Sequence, residues 1–171
     1  KALTKDSTKT ICLLDIGVQS STLNIIDKGL LKKSYSFNFN SNQLSQAIAS
    51  ALGIPYLESE NIKNNEGLNS KRQNVYEALN PLVDTLLAQV KNISAEFLKL
   101  EQKEIEEIYL TGGTANLPGL KEYFEKNIQK KVFVPNCFSG ISYPKILEST
   151  ISEMSPSFSV AVGVALDGLE I

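Results

Sequence analysis

The sequence predicts an α/β domain in which a mixed five-stranded sheet carries helices on both faces, together with a small helical insertion. Three strand-like segments, at residues 10–16, 21–27 and 30–39, follow one another with only short turns between them, which predicts an antiparallel meander. Two further apolar segments, at 108–111 and 131–134, each follow a helical stretch. Strands that are reached through crossover helices pair in parallel, so the complete sheet is predicted to be mixed.

The meander is predicted from the pattern within each of its segments. The first is a continuous apolar run ending in Asp-Ile-Gly, as in a buried central strand, and it should bury Cys12. Residues 21–27 alternate polar and apolar side chains, and Asp-Lys-Gly at 27–29 has the composition of a hairpin turn. The third segment places three aromatic side chains on one face: Tyr35, Phe37 and Phe39. These segments should therefore pair in sequence order.

Helical signals begin directly after the meander. Ser41 or Asn42 can cap a helix whose apolar residues repeat every four positions, and Gly-Ile-Pro at 53–55 ends it. A short helix is predicted at 57–64, followed by a polar loop at 65–71. This loop is expected to be the most flexible part of the chain.

A long helix is predicted next from an apolar stripe that runs from Val75 to Phe97. At 1.5 Å per residue, roughly 28 residues would span about 40 Å. Pro81 either kinks this helix or stands at the start of its main segment, with Asn80 as the cap.

The remaining segments complete the alternation of strand and helix. A glycine-rich turn leads from the fourth strand into a helix at 117–128, with Pro118 in its first turn. Residues 137–153 show no clear pattern. A final helix at 157–169 opens after Ser-Pro, and its small residues, including Gly163, predict close packing against a neighbouring element.

Composition excludes several function classes. The net charge of -2 gives no positive surface for nucleic acid or an anionic membrane. No apolar run reaches the roughly 20 residues of a membrane helix. The two cysteines lie far apart in sequence, which favours a reduced, cytoplasmic protein. The chain has no histidine, so Ser-His-Asp triads, Cys-His dyads and histidine-bound zinc are excluded.

Two glycine-bearing turns are the candidate functional features. Gly112 and Gly113 follow the fourth strand, and Gly17 follows Asp15 at the end of the first. Glycine allows positive φ and close approach of a ligand, and a helix N-terminus just beyond suits phosphate or ribose oxygens. The alternative is that each is only a tight turn that needs small residues.

Three motifs in this order resemble those of the actin-like ATPases, the ribonuclease H-like superfamily of actin, Hsp70 and FtsA. Leu-Asp-Ile-Gly at 14–17 with Ser-Thr-Leu at 21–23 resembles the second phosphate motif. Leu-Thr-Gly-Gly-Thr at 110–114 with Leu-Pro-Gly-Leu at 117–120 resembles the adenosine motif. Ser-Glu-Asn-Ile-Lys at 59–63 resembles the helix that contacts the ribose in bacterial members.

Within that superfamily the chain resembles the PilM family of type IV pilus assembly proteins. Pro-Asn-Cys-Phe at 135–138 is similar to the Asn-Pro-Phe of that family, with Cys137 replacing a proline. Val-Gly-Val-Ala-Leu at 162–166 is similar to its terminal helix. The resemblance spans residues 11–169 and covers only the second half of such a protein.

The resemblance implies a domain organisation. A core domain would comprise residues 10–52 and 72–171, and a short inserted lobe would comprise residues 53–71. The first-half lobe is absent from the chain, and we expect the chain to be one part of a longer protein. That first half would carry the other phosphate motif and the groove that receives a PilN-like inner-membrane protein.

The resemblance also assigns roles around ATP and Mg²⁺. Asp15 would be the catalytic carboxylate and would face Mg²⁺ through water. Gly17 would offer its N–H to a phosphate, with the Ser21 and Thr22 hydroxyls nearby. The alternatives are that Asp15 caps its turn and that the two hydroxyls are ordinary strand polarity.

Five further residues would bind the nucleoside. Glu60 and Lys63 would contact the ribose, although at this spacing they could equally form a solvated ion pair. The adenosine and α-phosphate would lie against Gly112, Gly113 and Thr114. Cys137 is expected to be an inert small residue.

The implied function is a nucleotide-binding cytoplasmic component of pilus assembly, at the inner face of the inner membrane, that couples ATP binding to recruitment of inner-membrane pilus proteins. At most weak ATPase activity is expected, and none from this chain alone. An FtsA-like division protein and a sugar kinase of the same fold are the alternatives. No nucleic acid partner is expected, and the isolated chain is expected to dimerise through its last helix.

Overall fold

The computed structural model describes residues 8–169, so the predicted core boundary at 171 lies outside the described residues. Its five-stranded sheet has the order β3-β2-β1-β4-β5. β1 pairs antiparallel with β2 and parallel with β4, and β5 pairs parallel with β4. The strands are β1 Thr10–Ile16, β2 Ser21–Asp27, β3 Leu30–Phe37, β4 Glu107–Thr111 and β5 Lys131–Phe133. The predicted mixed sheet and its meander are therefore confirmed.

The described residues also form five α-helices and three short 3-10 helices, which lie between the strands or after the last of them. The α-helices are α1 Ser41–Leu52, α2 Tyr56–Asn65, α3 Gln73–Glu101, α4 Leu120–Ile128 and α5 Glu148–Gly168. The 3-10 helices are Gly67–Asn69, Gly113–Asn116 and Lys145–Leu147. Each crossover between parallel strands thus contains a helix, as predicted.

The main core lies on one face of the sheet. Alternate residues of β1, including Cys12 and Leu14, are fully buried there together with Leu110 of β4. α1, α3 and α4 cover them with the apolar stripes that the sequence showed, for example Ile48, Val90 and Phe124. α5 contacts β4 and the turn after it, outside this cluster, so the sheet carries helices on both sides.

The start of α1 corrects the predicted cap. Asn40 is the cap, because its Oδ1 accepts a hydrogen bond from the backbone N–H of Gln43. Ser41 and Asn42 are instead the first two helical residues. Their backbone N–H groups have no partner within the helix and donate instead to carbonyls of the turn between β1 and β2.

α3 is unbroken through Pro81, so of the two alternatives for this proline, the one in which Asn80 caps the start of the main segment is wrong. The helix starts at Gln73, a full two turns earlier. Apolar residues on both sides of the proline, such as Val75 and Val83, are fully buried on the same face. Their burial offsets the roughly 3 kcal/mol that an internal proline costs.

The segment before α4 differs from the predicted helix at 117–128. Pro118 lies in a turn, and Gly119 precedes the helix with φ +83°. The carbonyl of Pro118 accepts a hydrogen bond from the backbone N–H of Leu68, 2.8 Å away. The predicted flexible loop at 65–71 therefore contains a helical turn that packs against this turn.

α5 begins nine residues earlier than the predicted helix at 157–169 and contains Pro156 in its interior. The predicted close packing of its small residues does not occur within the part of the chain that the structure describes. No atom of residues 8–169 lies within 4 Å of where a Cβ on Gly163 would stand, and Val160 and Val164 are 64% and 69% exposed. Only one side of the helix, around Ser159 and Val162, is buried.

Candidate functional site

The carboxyl ends of β1 and β4 meet at one edge of the sheet and bring both glycine turns together. Asp15 is the register partner of Thr111 on β4 and of Thr22 on β2, so the three side chains share a face. The Thr111 hydroxyl donates to Asp15 Oδ1 over 3.4 Å. Partial burial raises the pKa of the Asp15 carboxyl despite this bond. Asp15 and Gly113 therefore lie at the same edge of the sheet.

Gly112 is required by the packing between these two strand ends. Its φ of 81° with ψ of 165° is available essentially to glycine alone. A Cβ there would stand 2.5 Å from the carbonyl oxygen of Ile16 and 2.6 Å from Asp15 Oδ1. Its N–H donates to the carbonyl of Pro156 in α5. Gly112 therefore joins β1, β4 and α5.

An open pocket of about 780 Å³ lies beside this turn. Residues from three places form its walls: the end of α2, the 3-10 turn after Gly112, and the first three turns of α5. The lining residues are Lys63, Asn64, Gly113, Thr114, Asn116, Leu117, Ser149, Ser152, Glu153, Met154 and Ser157. A concave space of this size with several polar groups is typical of a small-molecule site.

Thr114 is a buried polar residue in the wall of the pocket. The residue is 4% exposed, and its Oγ1 is buried without a hydrogen-bond partner in the part of the chain that the structure describes. A buried hydroxyl left unpaired costs free energy, which a ligand group would recover only if the side chain turned this oxygen toward the pocket. Gly113 beside it keeps the wall open, since a Cβ would meet Ser157 Oγ at 3.4 Å.

The turn between β1 and β2 gives mixed support to its predicted phosphate role. The Gly17 N–H donates to the carbonyl of Ser20 over 3.0 Å, and the buried Ser21 hydroxyl donates to the carbonyl of Phe39 over 2.7 Å. Both predicted donors are therefore engaged within the protein. Thr22 is half-buried beside Asp15 and has a free hydroxyl among the described contacts.

Glu60 and Lys63 form an ion pair in which the lysine is buried and the carboxylate is partly exposed, so the pair is not fully solvated, which was the alternative to ribose contact. Lys63 Nζ lies 2.6 Å from Glu60 Oε1, and the lysine side chain is 6% exposed. This bond, and a second from the Ser45 hydroxyl, hold the pKa of the Glu60 carboxyl below its usual range. Lys63 lines the pocket, whereas Glu60 does not.

The residues that sequence reasoning missed belong to the first turns of α5. Ser149, Ser152 and Glu153 line the pocket, although their segment had been assigned to no element. A helical signal was present, because apolar residues there follow the 4-3-4 spacing of an amphipathic helix: Leu147, Ile151, Met154 and Phe158. Pro156 within that run obscured it.

The described residues form neither a cluster of metal ligands nor a membrane-spanning helix. Residues 8–169 contain no group of three or more histidine, cysteine, aspartate or glutamate side chains placed to hold a metal ion. Asp15 with the neighbouring threonine hydroxyls fits Mg²⁺, which uses few carboxylates and keeps its waters. Over the same residues no helix is both long enough and apolar enough to cross a membrane.

Cys12 and Cys137 are both free and buried. Burial raises the pKa of the Cys12 thiol to about 12, so it is protonated and unreactive at neutral pH. Cys137 packs against Ser155, whose Oγ accepts the Cys137 backbone N–H. This agrees with the expected inert role of Cys137.

Solved structures place the fold among the actin-like proteins. The chain resembles a PilM–PilN type IV pilus biogenesis complex with a TM-score of 0.83 and 24% identity, over 98% of this chain and 48% of that one. It resembles the ethanolamine utilization protein EutJ of Carboxydothermus hydrogenoformans with a TM-score of 0.66 and 23% identity, over 92% and 48%. It resembles ADP-bound MreB5 of Spiroplasma citri with a TM-score of 0.58 and 19% identity, over 86% of this chain and 56% of that one.

A family model identifies one family among the proteins with this fold. The family model described as type IV pilus assembly protein PilM matches residues 2–169. The chain belongs to the PilM family of type IV pilus assembly proteins. It spans about half the length of the solved structures it resembles.

Proposed function

We propose that the chain is the second half of a nucleotide-binding, PilM-like pilus assembly protein that couples ATP binding to recruitment of inner-membrane pilus proteins. The supporting observation is the pocket itself, with the unpaired Thr114 hydroxyl in its wall and Asp15 at the adjoining sheet edge. Residues 10–52 and 72–171 would form the core domain, and residues 53–71 the inserted lobe.

In this proposal the nucleoside lies against Gly113 and Thr114, and the phosphates extend toward Asp15. Gly112 contributes indirectly, because it holds the turn that carries both pocket residues. Mg²⁺ bound near Asp15 would neutralise phosphate charge. Partial burial of Asp15 strengthens its interaction with a cation.

Hydrolysis is proposed to be weak at most. Among the lining residues Glu153 is the acid, and it lies on the α5 wall and not beside Asp15. A base positioned beside the phosphate end would have to come from outside the described residues.

The partner is proposed to be a PilN-like inner-membrane protein, because the PilM-like structure that this chain resembles is in a complex with PilN. Its docking groove would lie in the half that this chain does not cover. The protein would then act on the cytoplasmic side of the inner membrane and be held there by its partner.

Calorimetric titration of this chain with ATP–Mg²⁺ tests the proposal. Because a second wall and its phosphate donors are not in the chain, we expect weak binding of about 1 mM, roughly 4 kcal/mol, and no measurable hydrolysis. Micromolar affinity or phosphate release above a buffer blank would show that the site is complete here.

Two variants separate the ends of the site once the other half is restored. Asp15→Ala should weaken binding mainly through loss of Mg²⁺, whereas Gly113→Val should block the nucleoside end with or without metal. Gly163→Val is the matched control, since it adds the same side chain to α5 at a position where no atom of the described residues lies within 4 Å of the Cβ. If Gly113→Val and Gly163→Val lost ATP affinity equally, the assignment of the nucleoside to this pocket would be contradicted.

A further inference from the structure

Lys63 is a buried cation whose hydrogen bonds are all made inside the protein. Its Nζ donates to Ser41 Oγ at 2.7 Å, Ser45 Oγ at 3.0 Å and Glu60 Oε1 at 2.6 Å. An ammonium group has three N–H donors and accepts nothing. The amine therefore has no donor left for a ribose hydroxyl.

The position of this cation is electrostatically costly without Glu60. Ser41 and Ser45 lie in the first two turns of α1, where the backbone N–H groups give the helix a partial positive charge. A cation there is repelled by the helix and also loses hydration. Glu60 offsets both costs, because its Oε1 accepts from Lys63 and Ser45.

The first turn of α1 in turn holds the β1–β2 turn at residues 17–20. The backbone N–H of Ser41 donates to the carbonyl of Gly17 at 3.0 Å, and that of Asn42 to Val18 at 3.4 Å. The Asn40 side chain donates to the carbonyl of Gln19 at 3.1 Å. These bonds use N–H groups that a helix start would otherwise leave unpaired.

The geometry points to Lys63 as a positioning residue: it joins α2 at the pocket wall to the first turn of α1, and through that turn it fixes residues 17–20 beside Asp15. Glu60 Oε1 is occupied by this network, while Oε2 has no hydrogen-bond partner among the described residues. Lys63 lines the pocket but has no N–H left for a ligand, whereas Glu60 keeps a free oxygen but lies outside the pocket lining. The statements about nucleotide rest on the proposed function.

Amide hydrogen exchange of the ligand-free chain tests the link without any nucleotide. In Lys63→Met the amides of Ser41 and Asn42 should exchange about tenfold faster, as expected when a local hydrogen-bonded unit loosens. The amides of Cys12 and Leu110, in the β1–β4 core, should be unchanged. Unchanged protection at Ser41 and Asn42, or equal acceleration at all four amides, would overturn the inference.

Lys103→Met is the matched control. It also removes a lysine bonded at 2.6 Å to a buried carboxylate, Asp27, at the opposite end of the sheet. It should leave Ser41 and Asn42 protected. If Lys63→Met does not fold because Glu60 is left unpaired, the neutral pair Glu60→Gln with Lys63→Met replaces it and should give the same local acceleration.

NMR titrations with ATP and 2′,3′-dideoxy-ATP separate positioning from direct contact. A positioning Lys63 predicts that Lys63→Met weakens both ligands by the same factor, because the turn and not a ribose bond is lost. Weakening of ATP alone would show a direct ribose contact and overturn the inference. If ATP at about 10 mM shifts no wild-type amide near Thr114, the proposed function fails while the exchange result stands.

Discussion

Gly112 and Gly113 are neighbours in one turn, yet they differ in why the position needs a glycine. Gly112 has a backbone conformation and a contact distance to Asp15 that exclude any side chain. Gly113 has an ordinary φ and only a 3.4 Å contact, so its small size serves the open pocket. In the sequence both were assigned to the ligand, because a pattern of two glycines does not show which one the fold itself requires.

Alanine substitutions should separate these roles. Gly112→Ala is expected to lower the free energy of unfolding by roughly 3 kcal/mol through strain and the clash with Ile16 and Asp15. Gly113→Ala should lower it by less than about 1 kcal/mol. Urea denaturation of the two variants measures the difference, and similar losses would contradict the structural role of Gly112.

Asp15 should reduce stability at neutral pH. Burial raises its pKa in the folded state, so the folded protein binds the proton more tightly than the unfolded chain. Stability attributable to Asp15 is therefore highest below its ordinary pKa of 3.8 and is lost as pH rises through the raised folded value.

Asp15→Asn should then stabilise the chain at pH 7 by about 0.5–2 kcal/mol, as is common when a functional site is relaxed. The gain over wild type should disappear as pH falls below 3.8. Paired urea titrations across this range provide the measurement. A gain that is independent of pH would show that the carboxylate charge is not its cause.

At the scale of elements, sequence patterns predicted the strands and most helices, because their apolar periods match one buried face. The meander, α1 and the stripe of α3 are examples. Failures occurred where tertiary contacts decide the boundary. α3 continues through Pro81 because the segments on both sides of it are buried. α5 likewise continues through Pro156, since Ser155 before it and Ser159 after it are buried.

The pocket could be predicted only in part, because tertiary contacts also decide which residues form its walls. The turn at Gly113 and Thr114 was visible as a motif, whereas its facing wall belongs to the unassigned start of α5. The engagement of Ser21 and Lys63 within the protein depends on partners up to 22 residues away and has no local signature.

α5 leaves apolar side chains exposed over much of its length. Met154 and Phe158 lie on one stripe, and Val160 and Val164 on another. We expect the isolated chain to dimerise through this helix, since extended apolar surfaces associate in water. Light scattering at high concentration should report a dimer for wild type and a monomer for Val160→Glu with Val164→Glu. A wild-type monomer with α5 ordered would contradict this expectation.

Across the whole molecule, three carboxylates with lowered pKa values should make the fold less stable in acid. Lys103 holds the pKa of Asp27 below its usual range, Lys63 does the same for Glu60, and Lys9 for Glu107. A lowered folded pKa contributes stability above the ordinary value, which is lost as pH falls through the folded value.

Unfolding free energy should therefore decline steadily below pH 4.5, the ordinary value for the two glutamates. Lys103→Met should be less stable than wild type at pH 7, and this difference should shrink below pH 3.8 as Asp27 protonates. Circular dichroism melts at a series of pH values provide the measurement. A difference that persists unchanged at pH 2 would show that it comes from packing and not from charge.

The pairing of β1 with both β2 and β4 also sets an order of assembly. β1 and β2 are joined by a four-residue turn, whereas Asp15 and Thr111 are 96 residues apart in the chain. The hairpin can form locally within microseconds, but β4 must wait for closure of a long loop and for α1 and α3 to pack. During synthesis the meander emerges before β4, with the carboxylate of Asp15 still in water. That side chain loses its hydration only when β4 docks, and the pocket is complete only after α5 packs on β4 and its turn, so the site forms late in the folding of the domain.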